Sequence, residues 1–369
     1  FAARIEHTRN GRFFNICHSY SVVFLYTNKS IIMYFMNYCT KQSDNVIVCD
    51  VCPRHCRLKS GQSGFCYVRV NTGFCVEFAS YGHITGLAVD PVEKKPLYHF
   101  YPSTNTLSLG TYGCNMGCRF CQNYSTTKTR YNPFALPYVS PEQAVQAAHL
   151  HNCKSIAFTY NDPVVFLEYA IDTARIAKSE GLQTIAVSAG YIEGRAREAL
   201  FSCMDAVNID LKGFGAQFYS KNCLADFKKV LDTINYIHTQ TRCWLEITTL
   251  LIEGENDSDD MLNSQCAWIK ENLGSNVPLH FSAFHPAYKF SNRPATSFVT
   301  LMRACEIAKT HGLNYVYTGN IRNKKTSTTY CKCCGSPLIV RDCFKVVRYN
   351  LDEFARCNNC KTLCNGIFI

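Results

Sequence analysis

Residues 110–123 read "GTYGCNMGCRFCQN" and place Cys114, Cys118 and Cys121 on one short loop. The glycines of this loop make its backbone permissive and argue against a regular helix. A core cysteine needs no such spacing, and a structural zinc knuckle usually has a second cysteine pair nearby. Three thiolates can instead each bind one iron of a cuboidal iron–sulfur cluster, which leaves the fourth iron without a protein ligand. The loop therefore predicts an open metal position for substrate chemistry, with a structural metal knuckle as the alternative.

Around this loop, short apolar runs alternate with amphipathic stretches. The predicted strands are 106–111, 155–160, 183–188, 206–211, 244–251, 279–284 and 314–319. Ser140 and Gln143 form a capping-box pattern at the start of a predicted helix, and Gly181 ends the next predicted helix, 164–180. This alternation predicts an α/β fold, a partial (β/α)6-type TIM barrel with helices outside a parallel sheet. Active sites of such barrels lie at the carboxyl ends of the strands, and the cysteine loop directly follows the first predicted strand.

The composition indicates a well-packed globular chain. Of 369 residues, 47% are hydrophobic and 18% charged, with a formal net charge of +10. Thiolate ligands would cancel much of that charge, and the sequence has no long basic run, so we expect no nucleic-acid partner. A zinc-bearing RNA-binding protein is a third interpretation, which only the net charge favours.

Cysteine is the main compositional signal, with 23 residues. Eleven of them fall into three groups with metal-ligand spacing, which favours metal binding in a reducing compartment over disulfides. We therefore predict a cytoplasmic protein.

The last of these groups resembles two metal knuckles. It consists of Cys331, Cys334, Cys357 and Cys360. Two pairs of this spacing fit a tetrahedral zinc ribbon, and a module this small gains folding free energy from its metal.

The first group is more ambiguous. It consists of Cys49, Cys52, Cys56 and Cys66, with His55 as a competing ligand. A zinc site, an auxiliary iron–sulfur cluster and a purely structural role all stay open.

These features divide the chain into four predicted parts. They are a leader of uncertain origin at 1–45, a cysteine-rich extension at 46–104, a core barrel at 105–322 and a zinc-ribbon-like module at 325–369. The apolar stretch at 21–39 is interrupted by Asn28 and Lys29 and has no clear signal-peptide cleavage site, so we expect no membrane span.

The polar and aromatic segment "DPVEKKPLYHFYP", residues 90–102, precedes the predicted barrel. Two interpretations are open for its Lys94, Lys95, Tyr98 and His99. They either shape a substrate mouth or belong to a surface segment that clamps the first strand.

The cysteine loop, with Phe120 before its last cysteine, resembles the radical S-adenosylmethionine (SAM) superfamily. The resemblance implies a [4Fe–4S] cluster whose unique iron chelates the amino and carboxylate groups of SAM. Reductive cleavage of SAM would then give a 5′-deoxyadenosyl radical that abstracts hydrogen from a substrate. It implies no further catalytic residue beyond the cluster.

The same resemblance implies SAM contacts at the ends of later strands. Asp162 would lie near the methionyl ammonium, and Ser188 near the ribose or carboxylate. Asp210 and Lys212, in "NIDLKGF", would also contact SAM, and His285 would face the same mouth.

Several stretches together resemble the AmmeMemoRadiSam system radical SAM enzymes, relatives of the pyruvate formate-lyase-activating enzymes. They are "CDVCPRHC…GFCYVR", "DPVEKKPLYHFYP", "GCNMGCRFCQN", "NIDLKGF" and "TYCKCCGSPLIVR", and the match runs from about residue 46 to the end of the sequence. The resemblance implies a protein glycine or a small molecule as substrate and a flavodoxin- or ferredoxin-type electron donor.

Three positions depart from the family pattern. Asp162 stands where glutamate is usual, Ala189 where asparagine is expected, and Glu253 where proline is expected. They motivate an alternative from another class, a catalytically degenerate metal-binding interaction protein.

Overall fold

The computed structural model of the protein describes residues 38–43, 45–73 and 75–368. Most of the predicted leader, residues 1–37, lies outside the described residues. No helix in the described part has the length and apolar character needed to cross a membrane.

The cysteine-rich extension forms two small antiparallel sheets. The first contains β1 (Cys39–Ser43), β2 (Val46–Cys49) and β3 (Arg57–Lys59), and the second contains β4 (Arg69–Asn71) and β5 (Val76–Phe78). Arg69 fastens this extension to the rest of the chain, because its guanidinium donates to both carboxylate oxygens of Glu168 at 2.6 and 2.7 Å. Both side chains are almost fully buried, so this bidentate ion pair holds the extension in a fixed position on the barrel.

The centre of the molecule is one sheet of eight strands. They are β6 (Gly86–Pro91), β7 (Asn105–Gly110), β8 (Ser155–Phe158), β9 (Gln183–Ser188), β10 (Ala206–Asp210), β11 (Trp244–Leu251), β12 (Leu279–Ala283) and β13 (Val316–Gly319). Consecutive strands are neighbours; β7 to β13 run parallel, and β6 pairs antiparallel with β7. The sheet has open edges at β6 and β13, as a partial barrel requires. The α/β fold and all seven predicted strands are confirmed.

Helices occupy the connections between these strands. They are α1 (Tyr124–Thr127), α2 (Pro141–Leu150), α3 (Leu167–Ser179), α4 (Gly194–Ser202), α5 (Ala216–Phe218), α6 (Phe227–Gln240), α7 (Asp259–Leu273), α8 (Phe298–Thr310) and α9 (Lys324–Ser327). A π turn, Tyr219–Cys223, continues α5. The predicted capping box is present, since Ser140 and Gln143 bond to each other's backbone N–H. Gly181, with φ of +78°, lies directly after the C-terminal end of α3, as predicted.

The residues before β7 close the interior of the barrel at the amino ends of the strands. Glu246 accepts from the backbone N–H groups of Tyr98 and His99 at 3.0 and 2.8 Å. Its carboxylate also pairs with His280 at 2.7 Å. Lys95 is buried against Asp90 at 2.9 Å. The segment therefore plugs the end opposite the mouth, and the substrate-mouth interpretation is wrong. The segment does clamp the first strand, since Asp90 and Pro91 pair with β7, but Tyr98 and His99 are buried rather than on the surface.

The C-terminal module rests on this same plug. It contains an antiparallel sheet of β14 (Thr329–Tyr330), β15 (Pro337–Asp342) and β16 (Lys345–Tyr349). Arg341 of β15 is fully buried and donates to the Tyr98 carbonyl at 2.6 Å and to Thr329 Oγ1 at 2.9 Å. A bridge between Phe100 and Ile367 adds backbone pairing. The module is thus joined to the barrel through buried polar contacts.

Glu246→Ala tests the plug. The change leaves the His280 ring and two buried N–H groups without their acceptor, so the free energy of unfolding falls by about 3–5 kcal/mol. Anaerobic urea unfolding followed by circular dichroism measures it. The control is Glu271→Ala on the exposed face of α7, with an expected effect within about 0.5 kcal/mol. Equal effects of the two substitutions would contradict the structural role of Glu246.

Candidate functional site

The cysteine loop lies at the carboxyl end of β7, inside the mouth of the barrel. Cys118 is buried with 8% of its surface exposed, whereas Cys114 and Cys121 are half-buried. Donors point at two of the sulfur atoms: the Met116 N–H lies 3.4 Å from Cys114 Sγ, and the Thr127 hydroxyl lies 3.2 Å from Cys121 Sγ. Hydrogen bonds to sulfur are a means by which proteins stabilise thiolate ligands.

Asn161, just after β8, fixes the start of this loop. Its Oδ1 accepts from the Thr111 N–H at 3.0 Å, and its Nδ2 lies 3.1 Å from the carbonyls of Tyr112 and Gly113. The side chain is buried, so these bonds are shielded from water. The sequence analysis missed this residue, although its place at a strand end next to Asp162 was a usable signal.

The π turn supports the other side of the loop. Its Cys223 and Asn222 carbonyls accept from the N–H groups of Gly117 and Arg119 at 2.7 and 2.9 Å. The Cys223 thiol contacts Cys118, and this hydrogen bond lowers the pKa of Cys118 below its ordinary value. π turns frequently occur at functional sites. Cys223 was also missed, because its spacing from the other cysteines carries no signal.

The spacing of the three loop sulfurs fits a polynuclear cluster better than a single ion. Across residues 38–43, 45–73 and 75–368, only the C-terminal cysteine group has all its sulfur atoms within 4.8 Å of one another. The three loop sulfurs are therefore farther apart than the ligands of a single ion would be. A cuboidal cluster holds each thiolate on a different iron, so its ligands stand farther apart than around one zinc ion. The ammonium groups of Lys128 and Lys212 interact with Cys118 and supply positive charge. The donor set therefore fits a [4Fe–4S] cluster.

Asp162 and Ser188 meet at the ends of β8 and β9. The Ser188 hydroxyl donates to Asp162 Oδ1 at 2.9 Å, and the Ala189 N–H donates to Oδ2 at 2.8 Å. Burial raises the pKa of Asp162, although these hydrogen bonds and Lys212 oppose the shift. Asp162 also interacts electrostatically with Cys114, so the carboxyl lies beside the loop.

Asp210 and Lys212 form an ion pair at the end of β10, with 2.6 Å between Oδ2 and Nζ. Burial alone would lower the pKa of Lys212, but Asp210 and Cys118 raise it above its ordinary value. Lys212 is therefore a cation at neutral pH that lies close to a cysteine of the loop. The pair keeps partial solvent access, which leaves it open to a ligand.

His285 follows β12 and is exposed, and no hydrogen bond or ion pair of its side chain occurs among the described residues. The same connection reaches the cysteine loop elsewhere: Lys289 donates its N–H to the Arg119 carbonyl at 3.0 Å. Glu253 lies outside the site and accepts from the Ser297 N–H at the start of α8. His285 thus lies near the mouth because the segment after β12 contacts the cysteine loop, not because its own ring makes a contact there.

The two other cysteine groups do not enter the mouth. Cys331 and Cys360 have sulfur atoms 3.5 Å apart, and those of Cys334 and Cys357 are 3.7 Å apart. The N-terminal group lines one small cavity against the back of the cysteine loop; it consists of Cys49, Cys52, Cys56 and Cys66. Every described cysteine is a free thiol, as metal ligation requires.

Comparison with known proteins agrees with this geometry. The family model described as Radical SAM superfamily matches residues 108–264. An uncharacterized protein of Methanocaldococcus jannaschii is 41% identical over 323 residues, which cover 87% of this chain and 95% of that protein.

Two solved structures are also similar. A domain of pyruvate-formate lyase-activating enzyme from Bacteroides vulgatus is 16% identical, with a TM-score of 0.40, over 45% of this chain and 99% of that one. A radical SAM methyltransferase from Sphaerobacter thermophilus is 16% identical, with a TM-score of 0.46, over 59% of this chain and 67% of that one.

Gly113→Ala tests the packing of the loop. Gly113 has φ of +82°, and a Cβ there would lie 2.2 Å from the Cys66 carbonyl oxygen. The substitution should separate the loop from the extension, reduce iron uptake during anaerobic reconstitution, and cost about 1–3 kcal/mol of overpacking. Iron and acid-labile sulfide per chain, with thermal unfolding, measure these effects.

The matched control is Gly181→Ala. Its φ is +78°, but no atom lies within 4 Å of the added Cβ, so it reports backbone strain alone. Equal iron content in both variants would show that the Gly113–Cys66 contact does not position the loop.

Proposed function

Since the chain belongs to the radical SAM superfamily, we propose that it is an enzyme that cleaves SAM reductively at a [4Fe–4S] cluster held by Cys114, Cys118 and Cys121. When bound, this cluster supplies the electron that yields a 5′-deoxyadenosyl radical, which abstracts hydrogen from the substrate. The observation that carries the proposal is the position of Cys118, one of the three loop thiols, beside Lys212 of the Asp210–Lys212 pair. Both lie at the carboxyl ends of the strands, opposite the plug.

The side chains of the mouth have complementary tasks toward SAM. The Lys212 ammonium suits the methionyl carboxylate, and the Asp210 carboxylate suits a ribose hydroxyl. Asp162 Oδ2 accepts one hydrogen bond from Ala189 and retains acceptor capacity for the methionyl ammonium. Ser188 orients Asp162, so it acts as a positioning residue. We propose that His285 contacts either SAM or the substrate.

We further propose that the chain is an AmmeMemoRadiSam system radical SAM enzyme related to the glycyl-radical activases. The five sequence stretches quoted above support this assignment. The substrate is then a protein glycine or a small molecule, and a flavodoxin- or ferredoxin-type protein supplies the electron. The proposed setting is an oxygen-poor cytoplasm, since oxygen destroys exposed clusters.

The activity has a direct assay. Reconstituted protein given dithionite and SAM under anaerobic conditions should form 5′-deoxyadenosine, which chromatography with mass detection measures. Lys212→Met should raise KM for SAM about 10- to 100-fold, because a charge-assisted hydrogen bond is worth about 1.5–3 kcal/mol. The control is Lys221→Met, on an exposed lysine of the π turn, which should leave KM unchanged.

Failure to form 5′-deoxyadenosine, together with an electron paramagnetic resonance (EPR) signal that does not respond to SAM, would overturn the proposal. That result would instead favour a degenerate metal-binding interaction protein.

For the C-terminal module we propose a structural zinc ion. Four thiolates around zinc at about 2.3 Å lie about 3.8 Å from one another, close to the two sulfur separations found in this group. Gly335, with φ of +68°, makes the tight turn after the first pair, and its N–H donates to the Cys331 carbonyl at 2.9 Å.

Cys334→Ser should lower the zinc content by about one ion per chain, because tetrahedral closure needs all four thiolates. Elemental analysis of purified protein measures it. The control is Cys333→Ser, at the adjacent exposed cysteine outside the four-sulfur group. Equal zinc loss in both variants would contradict the assignment of ligands.

A further inference from the structure

The cysteine-rich extension lines a small, partly open cavity of about 20 Å³ behind the cysteine loop. Its wall includes Cys49, Cys52, Cys56 and Cys66, together with Arg69 and Asn115. Four cysteines from a segment of 18 residues thus converge on one cavity. Scattered core cysteines would have no reason to do so.

The local backbone presents these sulfurs as ligands. Hydrogen bonds between the Cys49 N–H and the Cys56 carbonyl, at 3.0 Å, and between the His55 N–H and the Cys52 carbonyl, at 3.2 Å, fold the first three cysteines into a tight turn. A second turn, closed by the Tyr67 N–H on the Gly64 carbonyl at 3.0 Å, delivers Cys66.

Arg69 is a second, independent indication of a ligand. Only 3% of this residue is exposed, and its two terminal nitrogens are occupied by Glu168. Its Nε, which also carries a proton, has no hydrogen-bond partner within the described structure. A buried guanidinium N–H without an acceptor costs free energy, and the sulfides or thiolates of a bound cluster would provide one.

The separation of the sulfurs favours a cluster over a single ion. The C-terminal group gathers its four sulfurs within 4.8 Å of one another, as a tetrahedral zinc ion demands. Among the described residues, the N-terminal four line one cavity but do not form such a compact set. A cuboidal cluster binds each thiolate through a different iron, so its ligands stand farther apart than around one ion.

We propose that Cys49, Cys52, Cys56 and Cys66 bind a second [4Fe–4S] cluster in which every iron has a protein ligand. The cluster has no open iron and therefore does not bind SAM. It lies directly behind the first site, because Asn115 lines the cavity while the adjacent Cys114 faces the mouth. The proposal goes beyond the proposed function and does not depend on SAM cleavage.

A variant that lacks the first site tests it. The triple substitution C114A/C118A/C121A, reconstituted anaerobically with iron and sulfide, should retain about four iron and four sulfide per chain. After reduction with dithionite it should show a [4Fe–4S]⁺ EPR signal that SAM does not alter. Adding Cys56→Ser and Cys66→Ser should remove both the iron and the signal. Adding Cys75→Ser instead should change neither, because that cysteine belongs to the same extension but does not line the cavity.

Two results would overturn the proposal: a triple variant without iron that holds one more zinc ion than the C-terminal site accounts for, or one without any N-terminal metal. If the triple variant does not fold, the wild-type count decides, with about eight iron per chain for two clusters and about four for one. Wild-type protein that forms no 5′-deoxyadenosine, beside a triple variant with four iron, would refute the proposed function and support this site.

Discussion

A loop that carries three cysteines within eight residues must satisfy its own backbone polar groups elsewhere, and this constraint organises the site. The amide of Asn161 bonds to the backbone at three successive residues before Cys114. The carbonyls of the π turn take the N–H groups on the far side of the loop. The backbone of Cys66 packs so tightly on Gly113 that no side chain fits between them. The loop is therefore held from the barrel, from the π turn and from the extension at once.

The two ends of the barrel around this loop differ in structure and charge. At the amino ends of the strands, the plug closes the interior with Glu246, His280 and the backbone of Tyr98 and His99. At the carboxyl ends, Asp162, Asp210 and Lys212 stand beside the cysteines with charges of both signs. One end is thus sealed and held by buried polar contacts, and the other is supplied with groups that suit a zwitterionic ligand such as SAM.

Local sequence signals were enough to predict the elements and the cysteines. All seven strands, the Ser140 capping box and the glycine after α3 follow from short patterns whose physics is local. Cys223 and the plug could not be predicted, because their partners are distant in sequence. Asn161 was missed although its place at a strand end next to Asp162 was a usable signal. Nothing within "DPVEKKPLYHFYP" reveals that Glu246, nearly 150 residues later, accepts its backbone N–H groups. The predicted SAM contacts stay predictions, which a structure with bound SAM tests. The predicted domain boundaries also stay predictions, which truncated chains test.

The central claim is that the loop at 114–121 leaves one iron free of protein ligands for SAM. Electron–nuclear double resonance on the reduced protein, with ¹⁷O in the carboxylate of SAM, measures contact between that iron and SAM directly. The account predicts hyperfine coupling between ¹⁷O and the cluster, which is absent when Cys114, Cys118 and Cys121 are replaced by alanine. Saturated binding of labelled SAM without any coupling would contradict it.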